Sequence, residues 1–354
     1  MVNTLFLPEL REMLADSNVD ELAEFCTALN AGRTAEFMEG LNDDEAWRVL
    51  QFADPDRRAE IFGYFGDERK LAMLEVHEPT QVAELVEELA SDDRVDLLQE
   101  LPSKRVAQIL PLLPIEDRRD IQRLRSYAEA TAGGLMTTEV AKLGERLSVR
   151  EALEELSRQS HELETIYYLF VVDDDNLLRG IVSARQLVSS LAHPSRTLGD
   201  MMETDVVVAL VNEDQESVAQ KVERYNLLAI PVVDSGRQLL GIITHDDVID
   251  VVREELAEDA QRIAAVAPLD DDFLRIALIR LSWKRGIWLT ILFFAALLTA
   301  FALRHYEVEL AKQQWLVWFI PLIISAGGNS GSQSATLVIT AMTSGEVNFR
   351  DWPR

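Results

Sequence analysis

Two stretches of this 354-residue chain carry residue types suited to handling a metal cation. The first runs from Asp246 to about Ala267 and holds Asp246, Asp247, Asp250, Glu254, Glu255, Glu258 and Asp259. On one helix, Asp246/Asp250, Asp250/Glu254, Glu254/Glu258 and Glu255/Asp259 are like-charge pairs a turn apart, each costing about 0.2–0.5 kcal/mol. The helix dipole tolerates Asp in the first turn, but Glu258 and Asp259 lie beyond it. A bound cation would relieve the repulsion. Magnesium suits because it takes oxygen ligands and keeps several waters, so one or two carboxylates suffice. A solvated acidic face with ordinary counterions satisfies the same pattern. The second stretch is Pro321 to Ile339, PLIISAGGNSGSQSATLVI. It places Gly327, Gly328, Asn329 and Gln333 inside an apolar run. At bilayer depth such residues are tolerated against protein or a water-filled cavity, which makes an ion path one reading. Gly327 and Gly331 also form a GxxxG pair, so close helix packing is the other.

Charge is divided unevenly. The chain carries 34 basic and 61 acidic residues, for a net charge of −27. From Trp283 onward, six basic residues (Lys284, Arg285, Arg304, Lys312, Arg350, Arg354) meet four acidic ones (Glu307, Glu309, Glu346, Asp351). The first 282 residues therefore hold 28 basic and 57 acidic side chains, a net −29. Such a head repels nucleic acid and attracts cations. Cys26 is the only cysteine, so no intrachain disulfide forms, and MVNTLFLPEL lacks a secretory signal. A reduced cytosolic head follows.

The elements that must position these groups fall into three parts. Residues 1–126 read as short helices. Val82, Leu85, Val86 and Leu89 recur at helical spacing, as do Val106, Ile109 and Leu110. Helix-start signals at Asn42-Asp43-Asp44, Asp54-Pro55, Glu78-Pro79, Ser91-Asp92, Leu101-Pro102-Ser103 and Leu113-Pro114 punctuate them. Their spacing predicts a stacked helical superhelix. His77 has no second His or Cys at ligand spacing, so a surface or packing role is expected.

Residues 131–253 contain an internal repeat. Val171-Val172-Asp173 matches Val232-Val233-Asp234, and Gly180-Ile181-Val182-Ser183 matches Gly241-Ile242-Ile243-Thr244. Upstream, Leu135-Met136-Thr137-Thr138 echoes Met201-Met202-Glu203-Thr204. The repeat resembles a tandem pair of CBS domains, regulatory modules of which many bind adenine nucleotides. The nucleotide pattern of that family places Ser or Thr three residues before Asp. Thr244 and Asp247 fit it, whereas Ser183 and Gln186 do not, so one ATP site is expected at most. Thr244 also suits a plain helix N-cap. Asp173-Asp174-Asp175-Asn176 is no EF-hand, since Leu178 and Ala184 stand where Gly and Glu are needed.

The tail predicts two membrane spans, about 286–303 and 314–343, in which no charge occurs. Arg275, Arg280, Lys284 and Arg285 before the first span put the head in the cytosol. Pro321 and the Gly-rich segment predict a kinked or broken second helix.

The order of superhelix, CBS pair, acidic helix and PLIISAGGNSGSQS segment resembles the MgtE family of magnesium transporters. Tyr127-Ala128-Glu129-Ala130-Thr131-Ala132-Gly133-Gly134 and Thr165-Ile166-Tyr167-Tyr168-Leu169-Phe170 are similar to its entry into the CBS pair and to its first CBS core. The resemblance implies a multidomain α and α/β membrane protein. Its parts are a superhelix (1–126), CBS domains (127–192 and 193–253), a connecting plug helix (254–282) and a partial transmembrane domain (283–354). It implies a homodimer in the inner cell membrane among lipid, multi-pass, that carries a divalent cation and no nucleic acid. Cytosolic Mg2+ would bridge acidic faces and close the pore. It assigns Asp93 and Asp96 in the superhelix, Asp247 opposite them, Glu216 with Asp250, and Glu255, Glu258 and Asp259 on the plug helix as Mg2+ ligands. Gly327, Gly328, Asn329 and Gln333 would line the pore. Asn226 stands where an acidic ligand is expected. The family has five spans with a carboxylate at the ion site, so a chain ending after two is expected to be a fragment. The alternative is a membrane-anchored CBS protein that responds to adenine nucleotide. No paired His/Cys ligands, G-x-S-x-G, P-loop or Rossmann fingerprint argues for an enzyme.

Overall fold

In the computed structural model the chain forms two units, Met1–Ile249 and Asp250–Arg354. The structure describes residues 5–159, 163–263, 278–313 and 315–343, and within them not the side chains of 257–263, 278–285, 287, 288, 342 and 343.

The first unit begins with helices α1 (Leu7–Asp16), α2 (Val19–Ala28), α3 (Ala31–Met38), α4 (Asp43–Leu50), α5 (Pro55–Gly63), α6 (Asp67–Val76), α7 (Pro79–Glu87), α8 (Ser91–Glu100), α9 (Ser103–Ile109) and α10 (Ile115–Leu124). Asn42 closes a capping box with Glu45 at the start of α4, and Pro55 and Pro79 take the first helical positions of α5 and α7. One residue type ties successive layers together. Arg57 donates to the carbonyls of Cys26 (2.9 Å) and Leu29, Arg69 to those of Met38 (3.1 Å) and Leu41, and Arg105 to those of Leu74 (2.7 Å) and His77. In all three cases the carbonyls lie 31 and 28 positions earlier. A guanidinium fork thereby satisfies the free carbonyls at the end of an earlier helix. His77 stacks on Trp47 at 4.3 Å and 8°, which makes it a packing residue.

Next come α11 (Ala132–Leu135), β1 (Val140–Gly144), α12 (Val149–Gln159), β2 (Thr165–Val172), β3 (Leu178–Ser183) and α13 (Ala184–Ser189). The second repeat follows as β4 (Ala209–Leu210), α14 (Gln215–Tyr225), β5 (Ala229–Val233), β6 (Leu239–Thr244) and α15 (His245–Ile263). Each repeat builds a three-stranded sheet, β1-β2-β3 and β4-β5-β6, with the first pair parallel and the second antiparallel. The registers agree: Val171 pairs with Gly180, and Val232 with Gly241.

The segment leading into each repeat adds to the other repeat's sheet. Thr137 exchanges two 2.9 Å backbone bonds with Ile242, and Glu203 exchanges bonds of 2.8 and 2.9 Å with Ile181. Gly180 and Gly241 let that backbone approach. A Cβ on Gly180 would stand 2.6 Å from the Glu203 carbonyl oxygen, and one on Gly241 would collide with that of Thr137.

The second unit contains most of α15, then α16 (Leu278–His305), α17 (Glu307–Lys312) and α18 (Trp315–Thr343). Helices 28 and 29 residues long thus stand where two spans are expected. Among the described residues, however, no helix is both long and apolar enough to cross a membrane. In α18 the polar GGNSGSQS stretch lowers the apolarity. The expected break is also absent, since α18 runs as one helix through Pro321, Gly327, Gly328, Asn329 and Gln333. A Cβ at Gly327, Gly328 or Gly331 would meet nothing within 4 Å.

Candidate cation-sensing site

The superhelix meets the CBS pair through α8. The expected helix start at Ser91-Asp92 is real, but Ala90 occupies the cap position and Ser91 is the first helical residue. Its buried hydroxyl lies 3.1 Å from the Thr137 hydroxyl and accepts from the Thr138 amide at 2.8 Å. The Thr138 hydroxyl bonds to Asp120 of α10. Arg94, 5% exposed, donates to the carbonyls of Val86 (2.9 Å), Glu87 and Leu89 (both 2.8 Å) at the end of α7. It also pairs with Asp117 at 3.1 Å and Glu139 at 3.6 Å.

This junction gathers carboxylates. Asp92 and Asp96 lie one turn apart on α8 and share a face. Burial pushes the Asp92 carboxyl well above the usual carboxylate range, with Asp247, Asp93 and Glu164 adding repulsion. Its Oδ1 is buried without a hydrogen-bond partner. Asp96 and Glu164 keep exposed edges, but the protein packed round them removes enough water to raise both. Asp96 rises to about 7, burial acting first and then Asp93, Glu100, Glu129 and Asp247. Glu164 also rises to about 7, through burial and then Glu139, Asp247, Asp246 and Asp93. Asp247 rises to about 6 through burial, opposed by its hydrogen bond with Thr244 and reinforced by Asp246 and Asp93. No basic side chain is among the chief influences on these four groups.

Carboxylates crowded in this way form a donor set for a hard cation. They do not form a finished cage. Among the described residues no group of three or more His, Cys, Asp or Glu is placed to hold a metal ion. The arrangement fits a cation that keeps part of its water shell.

Of the residues named from sequence, Asp93, Asp96 and Asp247 meet here. The sequence pattern did not single out Asp92 and Glu164 as ligands. The four-residue spacing of Asp92 and Asp96 was the available signal for the first. Glu216 is exposed in the first turn of α14, where Gln220 donates to it at 3.2 Å. Asn226 ends that helix in a left-handed conformation (φ 50°). In the second unit Asp250 pairs with Arg253 at 3.0 Å, and Glu255 is half-buried. The side chains of Glu258 and Asp259, and residues 264–277 of the connecting segment, lie outside the described residues.

The nucleotide motif overlaps the same place. The Thr244 amide and hydroxyl donate to Asp247 Oδ2 at 3.1 and 2.6 Å. At the matching position, Ser183 and Gln186 form a capping box, so Gln186 is engaged with the helix start. Asp173 Oδ1 accepts from the amides of Asp175 (3.0 Å) and Leu177 (2.9 Å), a turn role rather than a calcium site.

The chain matches the family model of the MgtE intracellular N domain over residues 29–130 and that of the CBS domain over 132–193 and 198–254. It is 37% identical over 235 residues to the magnesium transporter MgtE of Thermus thermophilus, covering 66% of this chain and 52% of that protein. The chain spans about half the length of the curated relatives it matches. The three relatives that match over about half their length are each named as the magnesium transporter MgtE. Its structure is similar to a crystal structure of the soluble part of a magnesium transporter, with a TM-score of 0.66 and 34% identity over 70% of this chain and 97% of that one. It is also similar to the crystal structure of the cytosolic domain of the Mg2+ channel MgtE in complex with ATP, with a TM-score of 0.63 and 32% identity over 68% and 98%. With its helical N domain and tandem CBS pair, the chain belongs to the MgtE family.

Proposed function

We propose that this chain is the magnesium-sensing part, with two membrane helices, of an inner-membrane magnesium transporter. Mg2+ held among Asp92, Asp96, Glu164 and Asp247 keeps α8 against the start of α15 and favours a closed pore. When Mg2+ is scarce, the uncompensated carboxylates repel and the closed arrangement loosens. The observation that carries this reading is the unpartnered, buried Asp92 Oδ1, whose carboxyl is pushed up by burial and by the neighbouring Asp247, Asp93 and Glu164. Asp93 and Glu216, and separately Asp250, Glu255, Glu258 and Asp259, would supply further carboxylates to Mg2+. Gly327, Gly328, Asn329 and Gln333 of α18 would line the cation path, the two glycines leaving space and Asn329 and Gln333 offering side-chain amide oxygens.

A homodimer is supported by apolar side chains exposed at equivalent places in both repeats. Tyr167 and Val188 of the first correspond to Leu228 and Ile249 of the second. Such a face is self-complementary under a two-fold axis. The uncovered apolar surface of α16 and α18, where Phe293, Leu298, Trp318 and Ile323 are exposed, suits lipid or further helices.

The test is a Mg2+ titration of the whole chain in detergent, followed by melting temperature and protease protection. A flat response to millimolar Mg2+ sinks the sensor. A second reading rests on the Thr244–Asp247 pair and on the ATP complex of the related cytosolic domain. Adenine nucleotide would then bind the CBS pair and bias the same junction. Loss of ATP binding in Asp247→Ala with an intact magnesium response would favour that reading.

A further inference from the structure

The contacts that hold the two faces together are hydrogen bonds and ion pairs within the protein itself. The Ser91 hydroxyl is buried between Thr137 and Thr138, and Thr138 reaches on to Asp120. One helical turn along α8, Arg94 ties Glu139 and Asp117 to the carbonyl end of α7. Thr137 is the residue whose backbone pairs with Ile242 of β6. That strand ends at Thr244, whose amide and hydroxyl both donate to Asp247 Oδ2. A short path of hydrogen bonds therefore fixes Asp92 and Asp96 on one side relative to Asp247 on the other, and each link joins two groups of the protein itself.

We propose that Ser91, Thr138 and Arg94 form a cation-independent latch that positions the sensor carboxylates and so sets the magnesium concentration at which the sensor fills. The proposal rests on the sensor reading above. Physically, the latch opposes the repulsion among Asp92, Asp93, Asp96, Glu164 and Asp247. Ligands held near their bound arrangement lose less freedom when the cation enters. Without the latch, the cation must itself draw the two faces together, and the apparent affinity falls by the fraction of time they are apart. These are positioning residues, since none of them need touch the cation.

The experiment is limited proteolysis of the whole chain in detergent, read at the segment joining α10 to α11, first in EDTA and then across a Mg2+ titration. Ser91→Ala, Thr138→Val and Arg94→Lys each remove a link, while Thr138→Ser keeps the hydroxyl. A lost buried hydrogen bond is worth about a fivefold change in such an equilibrium. In EDTA, Ser91→Ala and Thr138→Val are expected to be cut about fivefold faster than the wild type. Under Mg2+ they should need about fivefold more cation for half protection, yet reach the same final protection. Thr138→Ser, which keeps the hydroxyl and adds no atoms, should behave like the wild type. Unfolding of Arg94→Lys would leave the two hydroxyl variants to decide. Unchanged cutting in EDTA by folded Ser91→Ala and Thr138→Val overturns the latch. Faster cutting in EDTA with no magnesium response in any protein retains the latch as a contact and rejects the sensor reading. Faster cutting in EDTA with an unshifted magnesium midpoint rejects the claim that the latch sets the threshold.

Discussion

Thr137 and Ile242 exchange both backbone hydrogen bonds, each 2.9 Å long, although they belong to different CBS repeats. The contact leaves no room for a side chain on Gly241, and the mirrored contact leaves none on Gly180. Overfilling a packed site costs about 1–3 kcal/mol, and here the obstacle is backbone that cannot rotate away. Gly241→Ala and Gly180→Ala should each lower the melting temperature of the folded chain by several degrees. Gly63→Ala, where a Cβ meets nothing within 4 Å, should not lower it.

Asp92 and Asp93 make a sharper pair to separate. Asp92→Asn removes a charge that burial and three neighbouring carboxylates oppose. The variant should melt higher than the wild type without metal and gain less from Mg2+. Asp93→Asn should shift both quantities less. Calorimetric melts with EDTA and with millimolar Mg2+ would measure the two differences.

The raised carboxyls also set a pH dependence. An acid whose folded-state pKa lies above its unfolded value takes up protons on folding, so stability rises as pH falls through that range. With Asp96 and Glu164 near 7 and Asp247 near 6, metal-free protein should melt higher at about pH 5.5 than at about pH 7.5. Saturating Mg2+ should shrink that difference. Glu45, Asp173 and Asp200 have lowered values and reverse the trend only at lower pH, as they protonate.

The arginine forks of the superhelix invite a fourth test. Arg105 satisfies the carbonyls of Leu74 and His77, and hydrogen bonds to a charged group are worth about 1.5–3 kcal/mol. Arg105→Ala should cost about 2 kcal/mol in chemical denaturation, and Arg57→Ala, which loses the equivalent pair, a similar amount.

Much of this architecture is legible in the sequence because it rests on local chemistry. The prolines and Asn42 mark helix starts that the structure keeps, and the two repeats share the hairpin registers at Gly180 and Gly241. The exchange of leading segments is not legible, because backbone pairing writes no side-chain pattern. Only the two glycines hint at a close approach. Asp92 escapes notice as a ligand because Ser91 reads as a cap. With Ala90 in that position, the helix begins one residue earlier, and Asp92 lies within electrostatic reach of Asp247. In α18, Pro321 and the glycines suggest a break, yet Pro321 lies inside the helix and removes one bond of its ladder without ending it, and the glycines keep helical geometry.

The exchanged segments also order events during synthesis. Thr137 leaves the ribosome just over one hundred residues before Ile242, its partner. Ser91 and Thr137 can meet while the second repeat is still unmade. The strand that steadies Thr137 arrives later, and Asp247 arrives only after that strand. A nascent chain therefore carries its superhelix and first repeat for several seconds, at about 5–20 residues per second, before Asp247 can join the carboxylates of α8.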